Sequence, residues 1–141
     1  MDGSCIGNPG PGGYAWRLEA PDGTMTEGSA HDPQTTNNRM ELEAAIALLR
    51  VVGPDKPLII RSDSQYLVHG CTRYLSGWKA KGWLKADGKP VQNPDLRKAL
   101  DDLLATSNVT FAKVAGHAGI AGNERVDSLA KIAARGQGDP K

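Results

Sequence analysis

An amphipathic helix followed directly by a short apolar strand restricts this 141-residue chain to a layered α/β arrangement. After Asn38, apolar residues recur at the spacing of one helical face, as Leu42, Ala45, Ile46 and Leu49. Gly53 and Pro54 then supply the signals that end such a helix. The run Leu58–Ile60 predicts a buried strand, because it is apolar without alternation.

The rest of the chain continues this strand-then-helix order. The turn signals of Pro21–Gly23 separate two predicted strands, which together make a hairpin. The other predicted segments are a loop over Gly7–Gly13, strands Tyr14–Ala20 and Thr24–Ala30, a helix from Ser64 to about Leu75, a loop Trp78–Pro90, a helix Pro94–Ala105, a strand Val109–Val114, a loop Gly116–Gly122 and a helix Asn123–Ala134. This order predicts a mixed sheet flanked by helices, with an antiparallel hairpin at one side.

The composition excludes several classes of protein. Hydrophobic residues make up 39% and charged residues 23% of the chain, as in ordinary globular domains. No apolar run approaches the roughly 18 residues that a membrane span needs, so we expect no membrane association. The two cysteines, Cys5 and Cys71, cannot form a disulfide framework, which favours a reducing cytoplasm. A net charge of +1 excludes a uniformly basic nucleic-acid coat but permits a local basic patch.

Four carboxylates fall at boundaries of predicted elements, where α/β proteins gather their sites. They are Asp2, Glu41, Asp63 and Asp127. Asp2 precedes the Gly-rich loop, Glu41 lies one turn into its helix, and Asp63 ends the apolar strand. Asp127 falls in the first turn of the final helix. Four such groups gathered together would repel one another, and bound divalent cations relieve that repulsion.

Each carboxylate also has an ordinary structural explanation. Glu41 and Asn38 resemble a capping box, Asp63 and Asp127 suit the positive end of a helix dipole, and Asp2 suits a turn. Oxygen ligands without a Cys or His cluster favour Mg²⁺ or Mn²⁺ over Zn²⁺. Spacing alone therefore predicts no more than an acidic metal site where elements converge.

Six strings carry a resemblance to a known family. They are DGSCIGNPGPGGY (2–14), TTNNRMELEAAI (35–46), SDSQYL (62–67), GWKAKGW (77–83), GHAG (116–119) and NERVDSLA (123–130). Their order and their span, from Asp2 to about Ala134, are similar to those of ribonuclease H type 1 in its bacterial form.

The resemblance implies a ribonuclease H-like α/β fold, with a five-stranded mixed sheet and helices on both faces. It implies a monomeric endonuclease that hydrolyses the RNA strand of RNA–DNA hybrids and leaves 5′-phosphate and 3′-hydroxyl ends. The family's metal-binding quartet, which holds two Mg²⁺ ions or Mn²⁺ in their place, falls on the four carboxylates. The family's loop histidine falls on His117, whose imidazole suits proton transfer or product release. The resemblance covers a single catalytic domain, residues 1–135, and leaves a disordered tail at residues 136–141.

The resemblance also implies which residues contact the hybrid. Positions near the minor groove or a DNA phosphate pocket are Cys5, Asn8, Thr36, Asn37, Asn38 and Gln65. Short polar side chains at such positions suit the 2′-hydroxyls of an RNA strand. Many family members have an arginine two residues before the pocket threonine, where this chain has Gln34, so we expect a weaker hold on that phosphate.

The lysine-rich segment after Gly77 resembles the family's basic protrusion. Its predicted hybrid-binding residues are Trp78, Lys79, Lys81, Trp83 and Lys85. Lysines in excess over the single acid, Asp87, suit contacts with phosphates. The structural alternative is a solvated face over packed tryptophans, and Trp78 is expected mainly to pack.

The chain departs from the family pattern at its beginning. Only Met1 precedes Asp2, whereas the family has a longer first strand there, and Met1–Cys5 is a poor strand by composition. A truncated first strand is therefore expected, from a late start, a truncation or a stub that suffices. Two rival functions stay open: a hybrid-binding domain that no longer cleaves, and the nuclease part of a larger protein such as a reverse transcriptase.

Overall fold

The computed structural model describes residues 9–54, 56–62, 64–85, 87–113 and 129–133, with the side chains of Arg73 and Lys113 excepted, together with the backbone of residues 2–5. Its strands are β1 (Asp2–Cys5), β2 (Gly10–Glu19), β3 (Met25–Thr35), β4 (Pro57–Ser62) and β5 (Asn108–Lys113). Its helices are α1 (Asn37–Val52), α2 (Gln65–His69), α3 (Leu75–Ala80) and α4 (Pro94–Ala105), with a π-helical turn, Gly70–Tyr74, between α2 and α3. Residues 129–133 are helical.

Strands β1, β2 and β3 form an antiparallel sheet with β2 in the middle. In β1, Asp2 lies opposite Ala15 and Cys5 opposite Gly12. The expectation of a poor strand over the first five residues is therefore wrong for Asp2–Cys5. Asp2 is the first residue of β1. Cross-strand hydrogen bonds outweigh weak intrinsic propensity here, because strand preference depends strongly on tertiary context.

The same sheet corrects the loop predicted over Gly7–Gly13. Gly10–Gly13 belong to β2, where Gly12 and Gly13 are buried and pair with both neighbouring strands. A register shift between Gly10 and Gly12 accommodates the irregular end of the pairing with β3. Glycine is a turn signal in a sequence, but in a central strand its missing side chain also permits close packing.

Helix α1 is the central helix of the fold. Thr36 caps its first turn by accepting a hydrogen bond from the Arg39 backbone N–H at 3.2 Å, and Gly53 ends it with a φ of 82°. Its apolar face packs on β1 and β2 and against α4. The predicted helix over this segment is confirmed, with bounds one residue wider at its start.

Strands β4 and β5 pair in parallel, with Leu58 opposite Val109 and Ile60 opposite Phe111. The prediction of a wholly buried β4 is wrong among the described residues, because its side chains alternate between buried and exposed. Ile59 is 57% exposed, whereas Ile60 is 1% exposed. Described residues cover one face of β4, where Ile60 joins the main core.

The helix predicted to end at about Leu75 extends to Ala80 through the π-helical turn. The rings of Tyr74 and Trp78 stack with centroids 5.7 Å apart, and Leu75 is buried. These contacts offset the weak helix preference of Ser76 and Gly77. Trp78, Lys79 and Ala80 are therefore helical, which corrects the loop predicted over Trp78–Pro90.

The α/β fold class is confirmed, with the helices packed on the strands. One core joins Trp16 of β2, Leu42 of α1, Ile60 of β4 and Leu100 of α4. Among the described residues the strands form two sheets, β1-β2-β3 and β4-β5, and not the continuous five-stranded sheet that was expected. Within the described part of the chain, no helix is both long and apolar enough to cross a membrane.

Candidate active site

Glu41 is the predicted metal ligand whose side chain the structure describes. It is the fifth residue of α1 and is 7% exposed. The helix packs against β1, the strand that begins with Asp2. A buried carboxylate is costly unless other groups or ions compensate its charge. Glu41 is therefore placed as a ligand would be, on the helix that covers the strand of a second predicted ligand.

The geometry of α1 removes the structural alternative for Glu41. The helix is capped by Thr36, so the third helical position is Arg39. A capping box needs its acid at that third position, with its side chain reaching back to the cap. Glu41 lies two residues further along, and Asn38 is a helical residue. The capping box predicted for Glu41 and Asn38 is therefore wrong.

Asp63 lies outside the described residues, but both of its neighbours in the chain are described. Ser62 ends β4 fully buried, and its Oγ accepts a hydrogen bond from the Ser64 N–H at 3.1 Å. Ser64 caps α2 by accepting from the Leu67 N–H at 3.1 Å. Because Ser64 is the cap, Asp63 precedes the helix and is not needed to cap its first turn. The residue directly before the cap is still next to the positive end of the helix, so the helix-dipole explanation for Asp63 stays open.

The other predicted catalytic residues are placed less fully. Asp2 lies in β1, described by its backbone, and Asp127 and His117 lie outside the described residues. Among the described residues, no group of three His, Cys, Asp or Glu side chains lies close enough together to hold a metal ion. Only one of the four predicted ligands has a described side chain, so the quartet stays a prediction.

Four of the residues predicted near the minor groove or a DNA phosphate have described side chains, and they lie at the starts of α1 and α2. Thr36 caps α1, Asn37 and Asn38 begin it, and Gln65 begins α2. Asn37, Asn38 and Gln65 are exposed, with amide groups that both donate and accept hydrogen bonds. Thr36 uses its oxygen as an acceptor in capping, which leaves its hydroxyl proton for a phosphate oxygen. Cys5 lies in β1, described by its backbone, and Asn8 lies outside the described residues.

The predicted basic protrusion is a short helix end followed by a tight loop. Lys79 lies in α3 and forms an ion pair with Asp101 of α4 at 3.0 Å. Lys81 ends the helix and is exposed. Trp83 adopts a φ of 67° and is held by hydrogen bonds from its N–H to Trp78 and from Val91 to its carbonyl. Residues with such strained backbones collect at functional sites.

Two arginines were missed by the sequence interpretation. Arg39 makes a bidentate ion pair with Asp95 at 2.8 and 3.1 Å and also donates to Asn93, which ties α1 to the start of α4. The hydrogen bond from Arg39 holds the pKa of Asp95 below its usual value. Arg97 is 1% exposed. The sequence signal that could have revealed the burial of Arg97 is its position three residues before Leu100, on the apolar face of α4.

Comparison with known proteins decides the family. The RNase H family model matches residues 1–135. The chain belongs to the ribonuclease H family. The ribonuclease H of Cyanothece sp. is 47% identical to it over 138 residues, which are 96% of this chain and 87% of that protein.

Solved structures of ribonucleases H resemble the chain. LC9-RNase H1, a type 1 RNase H with the type 2 active-site motif, has a TM-score of 0.82 at 34% identity and covers 96% of this chain and 70% of its own. LC11-RNase H1, solved in complex with an RNA/DNA hybrid, has a TM-score of 0.67 at 26% identity, over 96% of this chain and 94% of its own. The predicted ribonuclease H-like fold is confirmed.

Membership in the ribonuclease H family confirms the predicted activity. The chain is a nuclease of the class that hydrolyses the RNA strand of RNA–DNA hybrids. Ribonucleases H use divalent metal ions for this reaction. The strings that carried the resemblance were therefore sufficient for the family and the reaction.

Proposed function

We propose that the chain is an endonuclease that cuts the RNA strand of hybrids at a site built from Asp2, Glu41, Asp63 and Asp127, leaving 5′-phosphate and 3′-hydroxyl ends. The observation that carries this proposal is the burial of Glu41 on α1, against the strand that begins with Asp2. Thr36 and not Asn38 caps α1, so a capping box does not explain Glu41.

These four carboxylates would hold two Mg²⁺ ions, with Mn²⁺ able to replace them. The donor set fits, because it consists of hard oxygen atoms and Glu41 is a buried carboxylate that a cation would compensate. When bound, such ions activate the attacking water and stabilise the leaving 3′ oxygen. The protein's own contribution is to fix the carboxylates on β1, on α1 and at the junction of β4 with α2.

The remaining predicted residues bind and orient the hybrid. Asn8, Thr36, Asn37, Asn38, Gln65 and Cys5 would read the minor groove and a DNA phosphate, with Gln34 making the phosphate pocket weaker than in many relatives. Trp78, Lys79, Lys81, Trp83 and Lys85 would contact the backbone of the hybrid. His117 would move a proton or assist product release. The exposure of Asn37, Asn38 and Gln65 supports their part in this assignment.

We further propose a five-stranded mixed sheet in which the two described sheets are continuous. The common core that joins Trp16 of β2 with Ile60 of β4 supports this arrangement. One catalytic domain over residues 1–135, followed by a disordered tail at 136–141, is supported by the extent of the family match. The tail lies outside the described residues. A monomer in the cytoplasm stays a proposal; the location is supported by the small number of cysteines, Cys5 and Cys71, which cannot form a disulfide framework.

A cleavage assay on three labelled substrates tests the function. An RNA–DNA hybrid, an RNA duplex and a DNA duplex are each incubated with Mg²⁺, with and without EDTA. We expect cleavage of the RNA strand of the hybrid alone, with internal cuts and 5′-phosphate ends, and complete loss of cleavage in EDTA. Hybrid binding without cleavage in Mg²⁺ or Mn²⁺ would favour the binding-domain alternative. Cleavage only from RNA termini would contradict the endonuclease assignment.

A further inference from the structure

Arg97 is a buried cation far from the predicted metal ligands in the sequence. It lies in the first turns of α4 and is 1% exposed. Its guanidinium carbon lies 4.3 Å from the ring centroid of Tyr66 and 5.1 Å from that of Trp78. Its Nη2 donates to the carbonyl of Tyr66 at 2.9 Å. The aromatic rings contact the faces of the guanidinium, so its remaining hydrogen-bonding capacity lies along its edge.

The described residues leave that edge unsatisfied. Nε and Nη1 of Arg97 are buried and have no hydrogen-bond partner of good geometry among the described residues. Two acids of α4 pair elsewhere, Asp95 with Arg39 and Asp101 with Lys79. Burial raises the pKa of the neighbouring Cys71 thiol to about 11, although the charge of Arg97 and a hydrogen bond from it lower that pKa, so at neutral pH this partner is an uncharged, weak acceptor. Within the part of the chain that the structure describes, this buried guanidinium therefore has no anionic partner.

A cavity of about 160 Å³ adjoins Arg97 and opens to solvent. Its lining consists of Tyr66, Trp78, Lys85, Val91, Gln92 and Arg97. Two cations and no acid are among these residues. The volume exceeds what a single water needs, and it has room for a tetrahedral oxyanion.

The backbone at Gly70 leaves space for the side chain of Arg97. A Cβ atom added at Gly70 would collide with the guanidinium of Arg97, so glycine is the residue that admits this side chain. Gly70 begins the π-helical turn between α2 and α3. Such turns within α-helical segments are frequent at functional sites.

We propose that this cavity is an oxyanion-binding subsite in which the edge of Arg97 and the ammonium of Lys85 hold a phosphate or sulfate group. The planar fork of a guanidinium matches two oxygens of such a group, and Lys85 adds a second charge. Two sources share this chemistry: free inorganic phosphate and the phosphodiester backbone of a bound nucleic acid. Chloride, which has no pair of oxygens to match the fork, is expected to bind weakly.

Nuclear magnetic resonance of the whole chain, labelled with ¹⁵N, tests the proposal directly. The Nε–Hε signal of Arg97 is identified by its loss in Arg97→Met and followed in EDTA during titration with phosphate, sulfate or chloride at constant ionic strength. We expect saturable shifts with phosphate and sulfate and none with chloride. The absence of a saturable shift with phosphate in the wild-type chain would overturn the proposal, and this measurement does not depend on how any variant folds.

Calorimetric titration with phosphate compares three variants whose folding is checked by thermal melting. Arg97→Met should weaken phosphate binding about tenfold or more, because it removes charged hydrogen bonds to a buried group. Lys85→Gln should weaken it by a smaller factor. Lys98→Gln, which removes an exposed cation beside Arg97 on α4, is the matched control and should leave it unchanged. Equal phosphate affinity in Arg97→Met and the wild type would place the anion elsewhere and overturn the proposal.

A short RNA–DNA hybrid in EDTA then separates the two sources. If the hybrid displaces phosphate from the Arg97 signal, the subsite takes a backbone phosphate. If phosphate and hybrid bind together, the subsite takes a free oxyanion. Both results support an oxyanion subsite.

Discussion

Glu41 and Arg97 are both buried charged side chains, on helices α1 and α4 that pack against each other, yet their surroundings differ. Glu41 lies on the helix that packs against the strand of another predicted carboxylate, and the proposed cations would compensate its charge. Arg97 lies between aromatic rings beside a cavity that Lys85 also lines, so a bound anion would compensate its charge. The comparison shows that burial alone does not indicate the function of a charged side chain. The groups that surround the side chain do.

The two residues also differ in how the sequence reveals them. Glu41 belongs to one of the six strings that resemble ribonuclease H, and its role follows from that resemblance. Arg97 belongs to none of the six. Its burial follows from contacts with Tyr66, which is 31 residues away in the chain. The family resemblance therefore points to Glu41, whereas the proposed subsite at Arg97 rests on the structure.

The largest expected effect tests the first half of this comparison. Glu41→Gln should lower the rate of hybrid cleavage about 10³-fold, because it removes charge that stabilises the reacting centre. Hybrid affinity should change little, and thermal stability should hold or rise since a buried charge is gone. Glu43→Gln is the control on the same helix: burial raises the pKa of Glu43, and its substitution should leave cleavage intact. Near wild-type cleavage by Glu41→Gln would remove Glu41 from the metal site.

The second effect concerns the packing around Arg97. Gly70→Ala should destabilise the chain by about 1–3 kcal/mol, because the added methyl group collides with the guanidinium. Gly77→Ala, where the methyl group meets open space in α3, should instead stabilise by up to about 1 kcal/mol. Urea unfolding measures both. If both substitutions change the free energy of unfolding equally, Arg97 can move away from the added methyl group without cost. Gly70 would then not be required for the burial of Arg97.

The third effect separates two lysines of the predicted basic protrusion. Lys81→Ala should weaken hybrid binding and reduce the slope of log affinity against log salt by about 0.9, the value for one lost phosphate contact. Lys79→Ala should reduce that slope less, because Asp101 already pairs with Lys79 at 3.0 Å. Binding isotherms at several salt concentrations provide the slopes. A larger reduction of the salt slope by Lys79→Ala than by Lys81→Ala would contradict this prediction.

The smallest effect concerns the link between the two helices. Asp95→Asn should cost at most about 1 kcal/mol at pH 7, because the Arg39–Asp95 pair is largely exposed. Arg39 lowers the pKa of Asp95, so the contribution is present above the ordinary aspartate pKa of about 3.9 and is lost as the pH falls through the lowered value. Urea unfolding at pH 7 and pH 2 measures it, with exposed Asp102→Asn as the control. A difference that persists at pH 2 would assign the effect to packing.

Local sequence signals succeeded where their partners are close in the chain. The helices α1 and α4 match their predicted segments, because apolar periodicity and caps act within a few residues. The same signals failed for Gly10–Gly13, which cross-strand pairing holds in β2, and for Trp78, whose ring contacts Arg97 of α4. These signals also did not predict that the side chains of β4 alternate between buried and exposed, because an apolar run does not show which face of the strand is covered.

The sequence by itself determined the α/β class, the family and the identity of the predicted carboxylates, because those depend on residue types in a fixed order. Only the tertiary structure decided that Glu41 is buried, on a helix that packs against β1. It alone decided that Arg97 is enclosed by Tyr66 and Trp78 beside a cavity. The physical reason is that burial and electrostatic compensation arise between residues distant in the chain, and no local pattern specifies which distant groups will meet.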